Sequence, residues 1–483
     1  MSASTSLTRR QMLRRLGLGA GAGLLLPGCN GGRGFAPSRS ISPFQPRGLH
    51  VSLPGDAHSS RAVTWFTDGV EAPQSVVEYD VVTPGMSAQE IQTAPLRHQV
   101  EAESEPTTGI DAYTHRARFE IDPELPLRYR VGSAAGFSPV KVVQATPSDT
   151  WRFVHFGDQG VNHRAEQLTQ ELSQEDYDLL LIAGDLSYAN GDQPIWDDWF
   201  ELMSPIMSER VTMTAPGNHE QKDFGGDAFK NRFTHPGTLT SNLFGAEPPN
   251  SFYSFDYNRV HFLVTTAGAL IGDGTLPVEL ANIELDLANA ALRRAAGQID
   301  FIVVMQHFTI WTDQEGRSPA NPTLVALEEN IFLRYGVDVA LVGHDHVYQR
   351  SVPMMLGLPN PLGYVQMMVG TGGASIRLFD DNGPQSWSAK EFVGIGYASY
   401  EVDGDTIRGV FKGAPPLDMS EEGRQFAEEG FRVIDEFEIK ARGRILAQRF
   451  VHKPRPAEVL LADFDAIERH TLERNAHALK HCG

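Results

Sequence analysis

Five short polar blocks in this chain each follow an apolar run. They are Gly-Asp-Gln-Gly at 157–160, Gly-Asp-Leu-Ser-Tyr at 184–188, Gly-Asn-His-Glu at 217–220, His307 closing Val-Val-Met-Gln-His, and Gly-His-Asp-His at 343–346. Each block has a bland explanation when taken singly. Gly-Asp is a common turn, Gly-Asn-His can cap a helix, and a lone histidine after an apolar run is usually a satisfied core residue. Five independent turns, however, would not be expected to supply two Asp, an Asn and three His, so together they indicate a metal site. The blocks offer seven ligands: Asp158, Asp185, Tyr188, Asn218, His307, His344 and His346. A single tetrahedral zinc takes four at most, so two ions sharing a bridging carboxylate account better for the set, with Asp185 as the natural bridge.

The elements that must position these residues are legible as alternating strands and helices. Strands are expected at 152–156, 178–183, 210–215, 260–266, 300–305 and 337–342, with amphipathic helices between them over 165–175 and 278–296. This pattern is an α/β core with buried strands, and in such sheets ligand sites form outside the carboxyl ends of the strands. All five blocks sit there, which implies one site. From about 47 to 147 the chain instead shows short alternating segments (Gly-Leu-His-Val-Ser-Leu, Arg-Ala-Val-Thr-Trp-Phe-Thr, Leu-Arg-Tyr-Arg-Val-Gly-Ser) broken by Pro, Gly and Asp, the signature of a small β-sandwich. Residues 414–483 read as a charged, partly helical extension. Its end places His470, His477 and His481 near Cys482 along one helix face, read as solvated and not as a metal site.

Composition bounds the partners. The 483 residues carry a formal net charge of -20, which argues against nucleic-acid binding in the absence of a basic stripe. Up to Arg47, by contrast, there are seven arginines and no Asp or Glu. There Thr-Arg-Arg-Gln-Met-Leu leads into a short apolar run ending at Leu26, too short for a membrane span and read as an export signal over 1–28, followed by a flexible linker over 29–46. The paired arginines resemble a twin-arginine signal, and Cys29 stands where a lipidated cysteine would follow such a run. The expected location is therefore periplasmic or cell-surface, with membrane attachment through Cys29 as one form.

The five blocks, in this order, resemble the purple acid phosphatases, a branch of the calcineurin-like metallophosphoesterases. The resemblance implies a four-layer αββα catalytic unit over 151–413, and for 47–147 a fibronectin-III-like sandwich. Most metallophosphoesterases open with Asp-x-His, whereas the corresponding position here is Gly160, and Tyr188 supplies the missing ligand. Carried over by motif, Fe(III) is expected on Asp158, Asp185, Tyr188 and His346, and a divalent Zn, Mn or Fe ion on Asp185, Asn218, His307 and His344. A phenol near pKa 10 ionises only beside a strong Lewis acid, which agrees with trivalent iron at that position. His219 is the expected catalytic residue, binding the phosphoryl group and protonating the leaving group, with Glu220 behind the ligands. The implied reaction is attack of a metal-bound hydroxide on a small phosphate monoester. Phosphodiester or nucleotide pyrophosphate cleavage on the same core is the alternative, and a surface-anchored binding protein with an inactive site a third. One departure bears on this choice. After His307 the chain runs Phe-Thr-Ile-Trp-Thr-Asp-Gln-Glu-Gly-Arg, without the Pro, Tyr and substrate-facing His of plant-type members.

Overall fold

The structure, a computed structural model, describes residues 44–69, 74–238, 250–270, 276–416, 430–460 and 462. The export signal, Cys29, and the tail with His470, His477, His481 and Cys482 lie outside the described residues. Among the described residues no helix is long and apolar enough to cross a membrane.

Two mixed sheets, one of ten strands and one of seven, form the scaffold. In the first, Trp151–Phe156, Leu179–Ala183 and Val211–Ala215 run parallel side by side, with Ala183 opposite Ala215. In the second, Val260–Val264, Phe301–Gln306 and Val339–Val342 do the same, with Gln306 opposite Val342. Every residue of Leu179–Ala183 and Val211–Ala215 is buried, as parallel strands covered on both faces require. The inner faces meet through aromatic side chains: Phe153 lies edge-on to Phe262 at 5.7 Å, and Tyr348 stacks on Phe411 at 3.7 Å. Outside the second sheet, the helix Leu276–Ala295 turns Leu280, Ile283, Leu287 and Ala291, a helical repeat, onto Ile302 and Val304. Outside the first sheet lie His163–Leu172, capped by Asn162, and Pro194–Met207. The layers are thus helix, sheet, sheet, helix.

The N-terminal segment is not set apart from this sheet. Arg47–Ser52 pairs in parallel with Val211–Ala215 through Val51 and Val211, and on its other side with Ser60–Asp68, so one ladder runs from the α/β half into the N-terminal half. A five-stranded sheet covers the outer part, with Tyr79 packed on Phe119 at 4.3 Å. Beneath Pro194–Met207, Phe200 joins the halves by contacting His50, Phe66 and Phe233.

The C-terminal extension also differs from expectation. The boundary at 413/414 falls inside the strand Thr406–Ala414, and Arg432–Lys440 adds the edge strand of the ten-stranded sheet. The segment expected as part of a charged, partly helical extension is a strand here, with Phe437 and Ile439 set between charged neighbours. Asp435 is drawn inward because Tyr348 and Arg350 both donate to it.

One titratable clamp holds the second sheet to its helix. Both ring nitrogens of His261 lie 2.7 Å from carboxylates, Nδ1 from Asp256 and Nε2 from Asp286 on the helix. Burial alone would lower its pKa, but Asp286 and Asp256 outweigh burial and raise it to about 9. A raised histidine contributes stability that is present in full below its unfolded pKa of about 6.5 and is lost as pH rises through about 9. Denaturant unfolding across that window should show stability falling by about 3 kcal/mol from this group. In His261→Gln that fall should be absent, and an unchanged pH slope would rule the clamp out.

Candidate metal centre

The carboxyl ends of the two parallel triplets face one another, and the loops leaving them carry the seven expected ligands. Asp158, Asp185, Tyr188 and Asn218 come from the first sheet, and His307, His344 and His346 from the second. The local backbone is unusual. Asp158, Asp185, Tyr188, Asn190 and His344 have φ of 60°, 51°, 57°, 52° and 69°, in the left-handed region that non-glycine residues seldom occupy. Such strain clusters where side chains must be aimed. The glycine before a ligand also has a steric reason: a Cβ at Gly217 would fall 2.2 Å from Asp185 Oδ1.

The donors form two adjoining groups. Tyr188 Oη lies 3.1 Å from both Asp158 Oδ1 and His346 Nε2, which are themselves 3.1 Å apart. Beside this triangle, His307 Nε2 is 3.3 Å from Asp185 Oδ2, 3.2 Å from Asn218 Oδ1 and 3.3 Å from His344 Nδ1. Among the described residues, Asp185, His307 and His344 satisfy the spacing of a metal-binding triad. The far sides of the imidazoles are committed. His307 Nδ1 donates to Ala183 O at 2.8 Å, and His346 Nδ1 meets Ser375 O, so each ring turns Nε2 into the site, as metal-ligating histidines do.

The electrostatics fit a cation between these groups. Burial, with Asp158 and Asp185 nearby, holds the Tyr188 phenol well above its usual pKa, so the protein alone keeps it protonated and a strong positive charge is needed to ionise it. Burial and His307 push His344 down to about 3, whereas Asp185 and Asp158 overcome burial and raise His307. The carboxylates thus favour positive charge between these groups. A bound cation would supply that charge.

Glu220 is the brace. Wholly buried, it accepts from Asp185 N at 2.8 Å, Leu186 N at 2.9 Å and Gly217 N at 2.6 Å, tying two ligand loops together. His219 lies over the Tyr188 ring at 4.2 Å, donates its backbone N–H to Asp185 Oδ1, and has Nδ1 against Asn190 Oδ1. Its Nε2 is 3.8 Å from Asp185 Oδ2.

Residues 152–348 match the calcineurin-like phosphoesterase family. The chain is 25% identical over 349 residues to purple acid phosphatase 21 of Arabidopsis thaliana, covering 70% of this chain and 74% of that protein. It is 27% identical over 395 residues to human (Homo sapiens) acid phosphatase type 7, covering 74% and 85%. Its fold is similar to that of a purple acid phosphatase from yellow lupin (Lupinus luteus) seeds, with a TM-score of 0.67 at 20% identity over 86% of this chain and 76% of that one. Together these likenesses support a purple acid phosphatase family for the chain. The chain is a metal-dependent phosphoester hydrolase, and the family implies a dinuclear metal centre.

The cleft above the ligands has a charged rim. Besides Asp185, Asn218, His219, His344 and His346, it is lined by Gln314, Arg317 and Arg377, which the motif reading passed over. Gln314 Oε1 accepts the His346 N–H at 2.8 Å. Arg317 closes the divergent stretch after His307, the one signal in the sequence that pointed to it.

Removing the brace gives a direct check. Glu220→Ala should leave three buried N–H groups unpaired and weaken metal retention about 10- to 100-fold, measured by metal analysis after dialysis against graded chelator. Unchanged retention would show that Glu220 does not hold the ligand loops.

Proposed function

We propose that this protein is an exported acid phosphatase with a dinuclear metal centre that hydrolyses small phosphate monoesters. The observation that carries this reading is the convergence of all seven donors into two adjoining groups, one rich in oxygen around Asp158 and Tyr188 and one rich in nitrogen around His307 and His344. In this assignment Fe(III) is held by Asp158, Asp185, Tyr188 and His346, and a divalent Zn, Mn or Fe ion by Asp185, Asn218, His307 and His344. Hard trivalent iron suits phenolate and carboxylate oxygen, and a softer divalent ion suits imidazole. When bound, such a pair of ions supplies Lewis acidity to the attacking water and to the phosphoryl oxygens.

The chain's own groups do the rest. Asp185 stands between the two donor groups, fixed by the His219 N–H on one oxygen and facing His307 with the other. His219 has its Nδ1 engaged by Asn190 and keeps Nε2 toward the cleft, where it can hold a proton for the departing oxygen. The arginine-rich leader supports export, with lipidation of Cys29 as one form of attachment. Residues 47–147 are taken as a fibronectin-III-like unit, on the strength of their two-sheet β architecture.

The test is the visible absorption spectrum of the natively metallated protein. A tyrosinate-to-iron charge-transfer band is expected in the wild type and absent in Tyr188→Phe. A colourless, zinc-only active enzyme would overturn the iron assignment. Rates on p-nitrophenyl phosphate should exceed those on bis-p-nitrophenyl phosphate, and the reverse order would make the protein a diesterase.

A further inference from the structure

The divergent stretch after His307 folds into a hairpin. Trp311 bridges Ala320, Thr312 N donates to Pro319 O at 3.1 Å, and Arg317 N donates to Gln314 O at 3.2 Å, which puts Arg317 at the tip. One arm is bonded to the loop that carries Arg377: Glu315 N donates to Leu378 O at 2.9 Å, and Asp380 N to Asp313 O at 3.0 Å. The same backbone pairing therefore brings two guanidinium groups to one rim of the metal cleft. Arg317 is anchored there by Asp345, the buried residue between ligands His344 and His346, with Nε 3.0 Å from Oδ1. Arg377 has no ion-pair partner among the described residues, and its backbone N–H donates to His346 O.

The two arginines differ in what they face. Arg377 lines the metal cleft, of about 150 Å³. Arg317 lines that cleft and also an adjoining hollow of about 300 Å³, whose walls include Phe308, Thr309, Ser318, Asn321 and Pro322. His344 borders both, so a leaving group directed away from the metal ligands past His344 passes Arg317 and enters the hollow. The hollow's mixed apolar and hydroxyl lining, at the lower end of the usual size for small-molecule sites, suits a sugar or nucleoside body. An arginine fork at its entrance suits a phosphate, which it can grip through two parallel hydrogen bonds.

We propose that Arg317 is a specificity-determining residue that binds a second phosphate on the leaving group, so that this chain prefers substrates such as a nucleoside diphosphate over esters carrying a single phosphate, while Arg377 meets the phosphoryl group being transferred. The proposal rests on the phosphatase reading of the metal centre. In the preferred reaction a water oxygen bonds to the terminal phosphorus of ADP and the bridging P–O bond breaks. The bonding pair stays on the departing AMP phosphate, one water proton is released, and the products are AMP and orthophosphate. The leaving phosphate departs as an anion beside Arg317.

The test is kcat/KM of the metal-loaded full chain on ADP and on p-nitrophenyl phosphate. Arg317→Ala should lower the ADP to p-nitrophenyl phosphate ratio by about 10- to 100-fold, the range expected for losing a charge-assisted contact. Arg317→Lys keeps a cation beside Asp345 and should recover part of that ratio, whereas a merely structural role through Asp345 would lower both substrates alike in Arg317→Ala and leave the ratio unmoved. Arg377→Gln should lower both substrates by similar factors. An equal fall on both substrates in Arg317→Ala would overturn the proposal. Calorimetric binding of inorganic pyrophosphate and orthophosphate separates this from the parent reading. Wild type should bind pyrophosphate at least about tenfold tighter and Arg317→Ala should lose that margin. A margin that survives Arg317→Ala overturns the clamp whatever the activity, whereas wild type inert on both esters overturns the phosphatase reading itself.

Discussion

Glu220 is the constraint on which the metal face depends. Its carboxylate gathers three backbone N–H groups from two loops, those of Asp185, Leu186 and Gly217, in a place no water reaches. Burial and the neighbouring Asp185 push its pKa up to about 8, and the N–H donors pull the other way. The brace therefore works as an acceptor in a strongly disfavouring place, because leaving three buried N–H groups unpaired would cost about 1–3 kcal/mol each. Together with the His219 N–H on Asp185 Oδ1, it holds the left-handed turn at Asp185 against its strain.

That strain is distributed, and the scaffold must bear it. Five residues at the site hold positive φ, each costing on the order of 1–3 kcal/mol. The loop carrying Tyr188 and Asn190 is fastened at its far end by Asp223, which accepts from Gly191 N, Gln193 Nε2 and Trp196 Nε1. Trp196 belongs to the helix Pro194–Met207, whose Phe200 rests on His50 and Phe66 of the N-terminal half. A chain of packed contacts thus runs from the N-terminal sheet to the phenol at the metal face. This gives the N-terminal strands a physical part in the site, although none of their residues touches it.

Much of the site was legible because its residues are local to strand ends. Apolar runs such as Leu179–Ala183 mark buried parallel strands, and a polar residue directly after one can only lie at the carboxyl edge. What stayed hidden is what depends on pairing at long range. The continuity of the ten-stranded sheet passes through Val51 and Val211, 160 positions apart, and leaves no period in the sequence. The edge strand Arg432–Lys440 has the alternation of a strand, but its many charges read as a tail. Arg317 and Arg377 come together only because residues 313–315 bond to 378–380, a pairing that neither segment announces.

Charge explains why recognition must be local. The chain carries -20 overall, so an anionic ester approaching from afar meets repulsion, and long-range steering works against capture. Salt confines that repulsion to roughly 8 Å under physiological conditions, whereas partly buried charges inside a cleft are screened far less. Once at the rim, the substrate sees cations at close range: Arg377, with no ion-pair partner among the described residues, and Arg317, held by a carboxylate that is itself buried behind it. A site built this way gains little from a faster encounter and a great deal from matched contacts. Discrimination between esters then falls to the few groups within hydrogen-bonding reach, and the hairpin after His307 supplies one of them.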